Sequence, residues 1–152
     1  MDTNQLLVRR IKNGTVIDHI DSGKSLTVLN TLNIDGNDGN IVTVALNVPS
    51  SKMTKKDMIK IENRFLHKDE TDKIALISPN ATINIIKNYK LTEKRKIQVP
   101  DSISGIFKCP NMNCISNQEK GIISTIVVLD KKDIVLKCKY CRRIIDIEDI
   151  GI

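Results

Sequence analysis

Aromatic residues are scarce in this chain of 152 residues, which has two phenylalanines, two tyrosines and no tryptophan. A buried core must therefore be built from isoleucine, leucine and valine. Histidine is also rare, and neither His19 nor His67 lies in a recognisable catalytic motif. A phosphate-cradling glycine loop of the G-x-x-x-x-G-K-[ST] kind is absent as well. These absences predict that the chain is not an enzyme.

Long apolar runs are missing too, and no stretch approaches the ~20 residues needed to span a bilayer. The first residues, MDTNQ, lack the basic and apolar regions of an export signal. With 40% hydrophobic and 28% charged residues, the composition predicts a soluble globular protein without a membrane partner.

The four cysteines are confined to the last third of the chain, as the pairs Cys109/Cys114 and Cys138/Cys141 separated by 23 residues. Close pairs of this kind lie on tight knuckles and predict one structural Zn²⁺ held by four thiolates. Four buried free cysteines would leave their clustering unexplained, and a redox pair at Cys138 and Cys141 would leave the first pair without a role. A thiolate site without an export signal predicts a cytoplasmic location.

The net charge of +6 is unevenly distributed. Residues 101–152 hold 8 Lys/Arg against 7 Asp/Glu, whereas residues 1–100 hold 16 against 11. This excess favours an anionic partner for the N-terminal part, although basic residues spread over a solvated surface would give the same balance.

Periodicity and turn residues predict the elements of residues 1–100. A strand over 6–11, the turn dipeptide Asn13-Gly14 and a strand over 15–20 predict a hairpin. Helices are predicted over 24–34 and 71–77, the second with Asp69 as its N-cap. The other predicted strands span 41–48, 57–63, 82–89 and 90–99, the last at the sheet edge. The fold class is therefore α+β, beginning with a ferredoxin-like α/β sandwich of an antiparallel sheet with two helices on one face.

Residues 99–105 interrupt the periodicity and predict a domain boundary, which divides the chain into 1–100 and 101–152. Strands predicted over 121–129, 134–137 and 144–150 make the second part a small all-β zinc-ribbon domain. Its apolar core is thin, so a bound metal must supply much of its stability.

An anion or nucleotide site is one interpretation of several polar residues on the predicted strands. Lys60 projects opposite Ile59 and Ile61, and Lys94 lies beside a strand carrying Asn84 and Tyr89. Ammonium groups meet phosphates and Asn reads a base edge or hydroxyl, but a solvated surface explains single lysines equally well. Alternation aims the neighbours Asp18 and His19 at opposite faces, unless the strand ends or bulges there, or one of them acts through its backbone.

Five segments closely resemble the aspartate carbamoyltransferase regulatory chain family. They read GTVIDHI at 14–20, NVPS at 47–50, KDMIKIEN at 56–63, CPNMNCIS at 109–116 and LKCKYC at 136–141. The resemblance implies a non-catalytic regulatory subunit of pyrimidine biosynthesis. Its N-terminal allosteric domain would bind CTP and ATP, and its C-terminal zinc domain would dock on the catalytic chain. It would also pair as a regulatory-chain homodimer and link two catalytic trimers.

The same resemblance implies the site residues. It places Asp18 and His19 near the base and ribose and Lys94 at the phosphates, with Lys56 as a weaker phosphate candidate. The rest of the pocket would be lined by Ile11, Lys60, Asn84, Ile86, Tyr89 and Leu91. In the zinc domain, contacts to the catalytic chain would come from Asn111, Asn113 and Arg143.

This chain departs from the family pattern at Arg9, Arg10 and Arg142. Arg10 would change base preference or add phosphate attraction, and Arg142 would alter the charge of the docking surface. Two other functions remain open: a zinc-ribbon nucleic-acid-binding accessory factor, which would need a basic ribbon decorated with aromatics, and a redox or metal-delivery protein.

Overall fold

The computed structural model describes residues 10–150. Most of the strand predicted over 6–11 therefore lies outside the described residues, as does Arg9. Arg10 and Ile11 have no regular secondary structure. Within the described part of the chain, no helix is long and apolar enough to cross a bilayer.

Residues 14–96 form one sheet covered by two helices. The elements are β1 (Gly14–Asp21), α1 (Ser25–Thr31), β2 (Val42–Ser50), β3 (Thr54–Glu62), α2 (Lys68–Ile77), β4 (Thr82–Lys87) and β5 (Lys90–Lys96). The strand order is β2-β3-β1-β4-β5, and all neighbouring strands are antiparallel. The βαββαβ order confirms the predicted ferredoxin-like sandwich, extended by β5.

One face of this sheet packs on the helices because apolar residues alternate along the strands. Ile17, Ile59 and Ile83 are at most 1% exposed and lie in the same cluster as Val28 and Ile74 of the helices. The core is aliphatic, as the composition predicts. The opposite face is left partly exposed and carries most of the candidate site residues.

Local details differ from the predictions where long-range pairing decides them. The Asn13-Gly14 hairpin is wrong, because β1 is flanked by β3 on one side and β4 on the other. The tight turn lies instead at Asn88 and Tyr89, with φ of 51° and 65°, so the strand predicted over 82–89 ends at Lys87.

The helix ends and one strand end also need correction. The N-cap of α2 is His67 and not Asp69, and the Glu70 carboxylate accepts the His67 N–H at 3.2 Å. Helix α1 ends at Thr31, shortly before Asn33 with a φ of 56°. Pro49 lies within β2, which tolerates it because β2 is an edge strand.

The second part of the chain forms a four-stranded sheet in the order β6-β7-β8-β9. Its elements are β6 (Ser102–Ser104), α3 (Ile115–Gln118), β7 (Thr125–Asp130), β8 (Val135–Cys138), β9 (Ile144–Ile145) and a 3-10 helix (Ile147–Ile150). The predicted linker thus contributes a strand, and the last predicted strand has only two residues. It stops because the Asp146 carboxylate accepts the Glu148 N–H at 3.2 Å and starts a helical turn.

The two sheets are joined by a shared apolar contact. Leu76 of α2 is 2% exposed and belongs to the cluster of the second sheet, with Phe107 and Ile150. Val99 packs against both clusters. The Lys73 Nζ also lies 6.0 Å from the centre of the Phe107 ring. A change in one part can therefore reach the other through α2, while the division at residue 100 stays a prediction.

Candidate functional site

The four cysteines converge at one end of the second sheet, and their Sγ atoms lie within 4.8 Å of one another. Cys109 and Cys141 are separated by 3.7 Å, and Cys114 and Cys138 by 3.6 Å. A tetrahedral ion with bonds of ~2.3 Å requires Sγ atoms ~3.8 Å apart. The cluster therefore fits a four-coordinate metal ion bound entirely by protein.

Hydrogen bonds within each knuckle hold these sulfurs in place. The Asn111 carboxamide oxygen accepts the Asn113 N–H at 3.1 Å, and the Asn111 carbonyl accepts the Cys114 N–H at 3.0 Å. In the second knuckle the Arg142 N–H donates to the Cys138 carbonyl at 3.0 Å. The Asn111 side chain thus builds its knuckle, while Asn113 and Arg143 are exposed.

The thiols differ in acidity. Burial raises the pKa of Cys109 to about 12, whereas a hydrogen bond with the Ser116 hydroxyl lowers the pKa of Cys114 to about 6. Binding a divalent cation to such a set releases protons, so metal affinity falls as pH falls.

A second candidate site lies on the sheet face opposite the helices. Strand register places Lys60 beside Val16, Val16 beside Asn84, and Asn84 beside Lys94. This row crosses β3, β1, β4 and β5 and brings together three of the predicted nucleotide residues. The Asn84 Oδ1 is buried and has no hydrogen-bond partner among the described residues, which is a costly state for a polar atom.

Apolar candidates lie to one side of this row along the strands, toward Gly14 of β1, and form the apolar end of the site. Ile86 pairs with Gly14 and with Leu91. The Tyr89 N–H donates to the Lys12 carbonyl at 3.0 Å, and Ile11 is the residue before Lys12. Tyr89 and Leu91 are 52% and 54% exposed. Arg10 Nη2 donates to the Tyr89 carbonyl at 2.9 Å, so this departure from the family pattern borders the apolar end.

A β-bulge places Asp18 and His19 close together, with His19 Nδ1 3.9 Å from an Asp18 carboxylate oxygen. The register between β1 and β3 shifts between Ile17 and Ile20, and His19 has a φ of 54°. The bulge leaves both side chains partly exposed. The Asp18 carboxylate accepts the His19 N–H at 2.7 Å and a Lys56 Nζ contact at 2.8 Å. Lys56 is therefore committed to Asp18, which weakens its candidacy for a phosphate.

A basic cleft lies on the other side of the row along the strands, with a volume of about 580 Å³. Its lining comprises His19, Lys52, Met53, Asn80, Thr82, Lys94 and Lys96. The motifs did not single out Lys52, Thr82 or Lys96. Alternation could have indicated Thr82 and Lys96, which are two residues from Asn84 and Lys94 and pair with each other. Nothing local in the sequence indicated Lys52.

The electrostatics of the cleft favour an anion. Burial lowers the pKa of His19, the charges of Lys56, Lys52 and Lys94 lower it further, and Asp18 opposes them only in part. Burial alone would raise the pKa of Asp18, but the hydrogen bonds from Lys56 and from the His19 N–H, together with the charge of Lys56, outweigh it and lower this pKa. Clustered ammonium groups that repel a proton from histidine would be relieved by a phosphate.

Two models of known protein families match the chain. The aspartate carbamoyltransferase regulatory chain allosteric domain matches residues 6–98, and the metal binding domain of the same chain matches residues 101–151. The chain belongs to the aspartate carbamoyltransferase regulatory chain family. The cysteine cluster lies in the part that matches the metal binding domain, and the basic cleft in the part that matches the allosteric domain.

Similar individual proteins are also named aspartate carbamoyltransferase regulatory chain. The aspartate carbamoyltransferase regulatory chain of Nitrosopumilus maritimus (strain SCM1) is 55% identical over 150 residues, which cover 99% of this chain and 98% of the relative. That of Cenarchaeum symbiosum (strain A) is 55% identical over 147 residues, covering 97% and 96%. That of Methanothermobacter thermautotrophicus is 48% identical over 147 residues, covering 96% and 93%. Membership therefore applies to the whole length of the chain.

Proposed function

We propose that this chain is a non-catalytic regulatory subunit that binds CTP and ATP on its first sheet and docks on the catalytic chain of aspartate carbamoyltransferase through a zinc-bound second sheet. The observation that carries the nucleotide site is the row of Lys60, Asn84 and Lys94. It lies between the apolar end and the basic cleft on one sheet face. In this role the subunit modulates pyrimidine biosynthesis in the cytoplasm.

The distance from the apolar end to the basic cleft suits a nucleoside triphosphate. Asp18 lies four residues after Gly14 along β1, which is a distance of ~13 Å. Ile86, Tyr89 and Leu91 would contact the base at one end, and Lys94 the phosphates at the other. The unpartnered Asn84 oxygen would accept a hydrogen bond from the ligand between them.

The position of His19 favours a revised role. It lies in the basic cleft with Lys94, away from Ile86 and Tyr89, so we assign it to the phosphates. Asp18, held by Lys56, stays the candidate for the ribose. Lys52 and Lys96 add positive charge that a triphosphate would neutralise.

Zinc is the metal that best fits the second site, because four cysteine thiolates in a closed tetrahedron are its usual structural ligands. The surface beside the knuckles would contact the catalytic chain. Met112, Tyr140 and Ile144 are 81%, 38% and 64% exposed there. Arg142 and Arg143 stand beside them, so a catalytic-chain surface with apolar and acidic residues would match.

Homodimerisation would use β2. The other edge strand, β5, carries Lys90, Lys94, Arg95 and Lys96, and such charges discourage edge-to-edge pairing. Strand β2 contains no charged residue, and Leu46 is 51% exposed. A second copy of the chain pairing along β2 would cover this apolar edge.

Calorimetric titration of the purified chain with CTP and ATP tests the nucleotide site. Lys94→Ala should weaken binding by roughly tenfold or more, because a charge-assisted hydrogen bond contributes about 1.5–3 kcal/mol. Arg95→Ala is the matched control, since Arg95 pairs with Ile83 and so projects from the opposite face. Lys60→Ala should weaken binding as well.

Unchanged affinity in both lysine variants, or an equal loss in Arg95→Ala, would contradict the site assignment. Co-purification with the catalytic chain, followed by activity assays with and without each nucleotide, tests the regulatory role. A steeply salt-dependent gel shift with an oligonucleotide, and no nucleotide response, would favour the nucleic-acid-binding alternative instead.

A further inference from the structure

Asp57 of β3 is a carboxylate with no exposed surface, buried between the sheet and α1. Its hydrogen bonds come from backbone N–H groups. Oδ2 accepts from Gly23 at 3.0 Å and from Ser25 at 3.3 Å, and Oδ1 accepts from Asn47 at 2.9 Å. Burial opposes ionisation, but these bonds outweigh it and keep the pKa of Asp57 below its usual range. A buried carboxylate is costly unless it is hydrogen-bonded, and these three bonds make Asp57 a fixed point between the sheet and α1.

Asp57 lies next to two bulges, one in each strand that flanks β3. In β1, Ile17 pairs with Ile59 and Ile20 pairs with Asp57, so Asp18 and His19 together stand opposite Met58, the residue after Asp57. In β2, Ala45 pairs with Met58 and Val48 pairs with Lys56, so residues 46 and 47 together stand opposite Asp57. Both strands that flank β3 therefore gain an extra residue beside this carboxylate.

Both bulges contain a residue in the left-handed region, His19 with a φ of 54° and Asn47 with a φ of 58°. Such conformations cost on the order of 1–3 kcal/mol and persist only where the surroundings impose them. The Asp57 carboxylate contacts the backbone on both sides of β3. In the β2 bulge it binds the N–H of Asn47 itself. On the β1 side it binds the N–H groups of Gly23 and Ser25, just after β1 ends and four and six residues after His19.

We infer that Asp57 is the positioning residue of the basic cleft, holding the bulge that turns Asp18 and His19 toward the same ligand. The inference rests on the proposed nucleotide function. Asp57 itself faces the helices and touches no ligand. Through Asn47 it also ties the cleft to the edge strand β2.

An asparagine side chain cannot replace this carboxylate despite its equal size. All three backbone partners of Asp57 are N–H donors, so the amide nitrogen introduced by Asp57→Asn would face a donor wherever it points. We expect Asp57→Asn to release one bulge and to weaken CTP binding by roughly tenfold or more, the effect of misplacing one charge-assisted contact. The expected loss is in affinity, with metal content and catalytic-chain assembly retained.

The His19 ring gives a second readout that is independent of nucleotide. Its pKa is held low by burial and by the cleft lysines. In Asp57→Asn the ring should leave the cleft, and its NMR titration should move up toward the ordinary histidine value. Glu70→Ala is the control for stability alone, because Glu70 binds Arg64 and caps α2 without touching either bulge.

Two substitutions at Asn47 keep the inference testable if Asp57→Asn does not fold. Asn47→Gly retains the N–H and the left-handed conformation, so it should bind CTP normally. Asn47→Val disfavours that conformation and should reproduce the loss seen in Asp57→Asn.

The inference is overturned if Asp57→Asn and Asn47→Val bind CTP as the wild type does with an unmoved His19 titration. It is also overturned if Glu70→Ala, at equal loss of stability, weakens binding as much. If the wild type does not bind CTP, the proposed nucleotide-binding function is wrong. The His19 titration would then decide the role of Asp57 by itself.

Discussion

Removing the metal from the four cysteines should unfold the second sheet, because that sheet buries few apolar side chains of its own. Of these, Ile126 and Leu136 are at most 1% exposed, whereas the others, Ile103, Val128, Ile145, Ile150 and Phe107, are 3–9% exposed, and Leu76 of α2 completes the cluster. Structural zinc contributes about 10–16 kcal/mol of apparent binding free energy in small peptides, released only on folding. Chelation removes that contribution.

The first sheet should survive chelation but lose stability. Leu76 is 2% exposed only because the second sheet covers it. Exposing a buried leucine costs about 1.5–3 kcal/mol. A loss of about 2 kcal/mol lowers the Tm of a domain of 60–100 residues by roughly 8–16 °C. The first sheet should therefore melt separately and at a lower temperature than in the metal-bound chain.

Hydrogen exchange read by mass spectrometry and scanning calorimetry measure these two effects. Amides of β7 and β8 should lose protection on chelation, and those of β1 and β3 should keep most of theirs. Leu76→Ala is the control, since it removes the shared contact in advance and should make the first sheet's melting nearly insensitive to chelation.

Protected β7 and β8 amides in the metal-free chain would refute the reasoning that the metal holds this sheet together. An unchanged Tm for the first sheet would refute the coupling through Leu76.

Three further outcomes are expected. Gly14→Ala should strongly lower the urea concentration at the midpoint of unfolding, because Gly14 has a φ of +150° and a Cβ there would lie 2.1 Å from the Ile61 carbonyl oxygen. An unchanged midpoint would contradict that packing. A bound triphosphate should raise the depressed pKa of His19, so the ratio of the CTP affinity of the wild type to that of His19→Gln should increase as pH falls from about 7.5 to about 6. A ratio that stays constant in calorimetric titrations would exclude His19 from the phosphate site. Leu46→Lys should shift the chain toward monomer in analytical ultracentrifugation, whereas Leu129→Lys, on the similarly exposed Leu129 of β7, should not. Dimers of the Leu46→Lys variant would rule out pairing along β2.

Local sequence patterns predicted the parts of the fold that depend on local chemistry. Alternation of apolar residues assigned Ile59 and Ile61 to one face of β3 and Lys60 to the other, as the structure confirms. Spacing of the cysteines predicted their cluster, because two sulfurs on one tight turn are near each other whatever surrounds them. Element order in residues 14–96 followed from the same periodicities.

Errors occurred where distant strands decide the outcome. Asn13-Gly14 has the composition of a hairpin turn, but β1 is the middle strand of the sheet and pairs with β3 and β4 instead. Asp69 suits an N-cap, but Glu70 binds the N–H of His67 and starts α2 earlier. Nothing near Lys52 in sequence indicates that it joins His19 in one cleft.

The sequence by itself determined that the four cysteines pair on two knuckles in the second part of the chain and that Lys60 projects opposite Ile59 and Ile61 in the first. Tertiary structure alone decided that Lys60, Asn84 and Lys94 form one row and that Asp18 and His19 lie close together. A strand's side-chain alternation is set by its own backbone, and strict alternation would separate those two residues. We infer that Asp57, nearly forty residues away, holds the bulge that reunites them, because its carboxylate binds N–H groups just after β1 and within the β2 bulge.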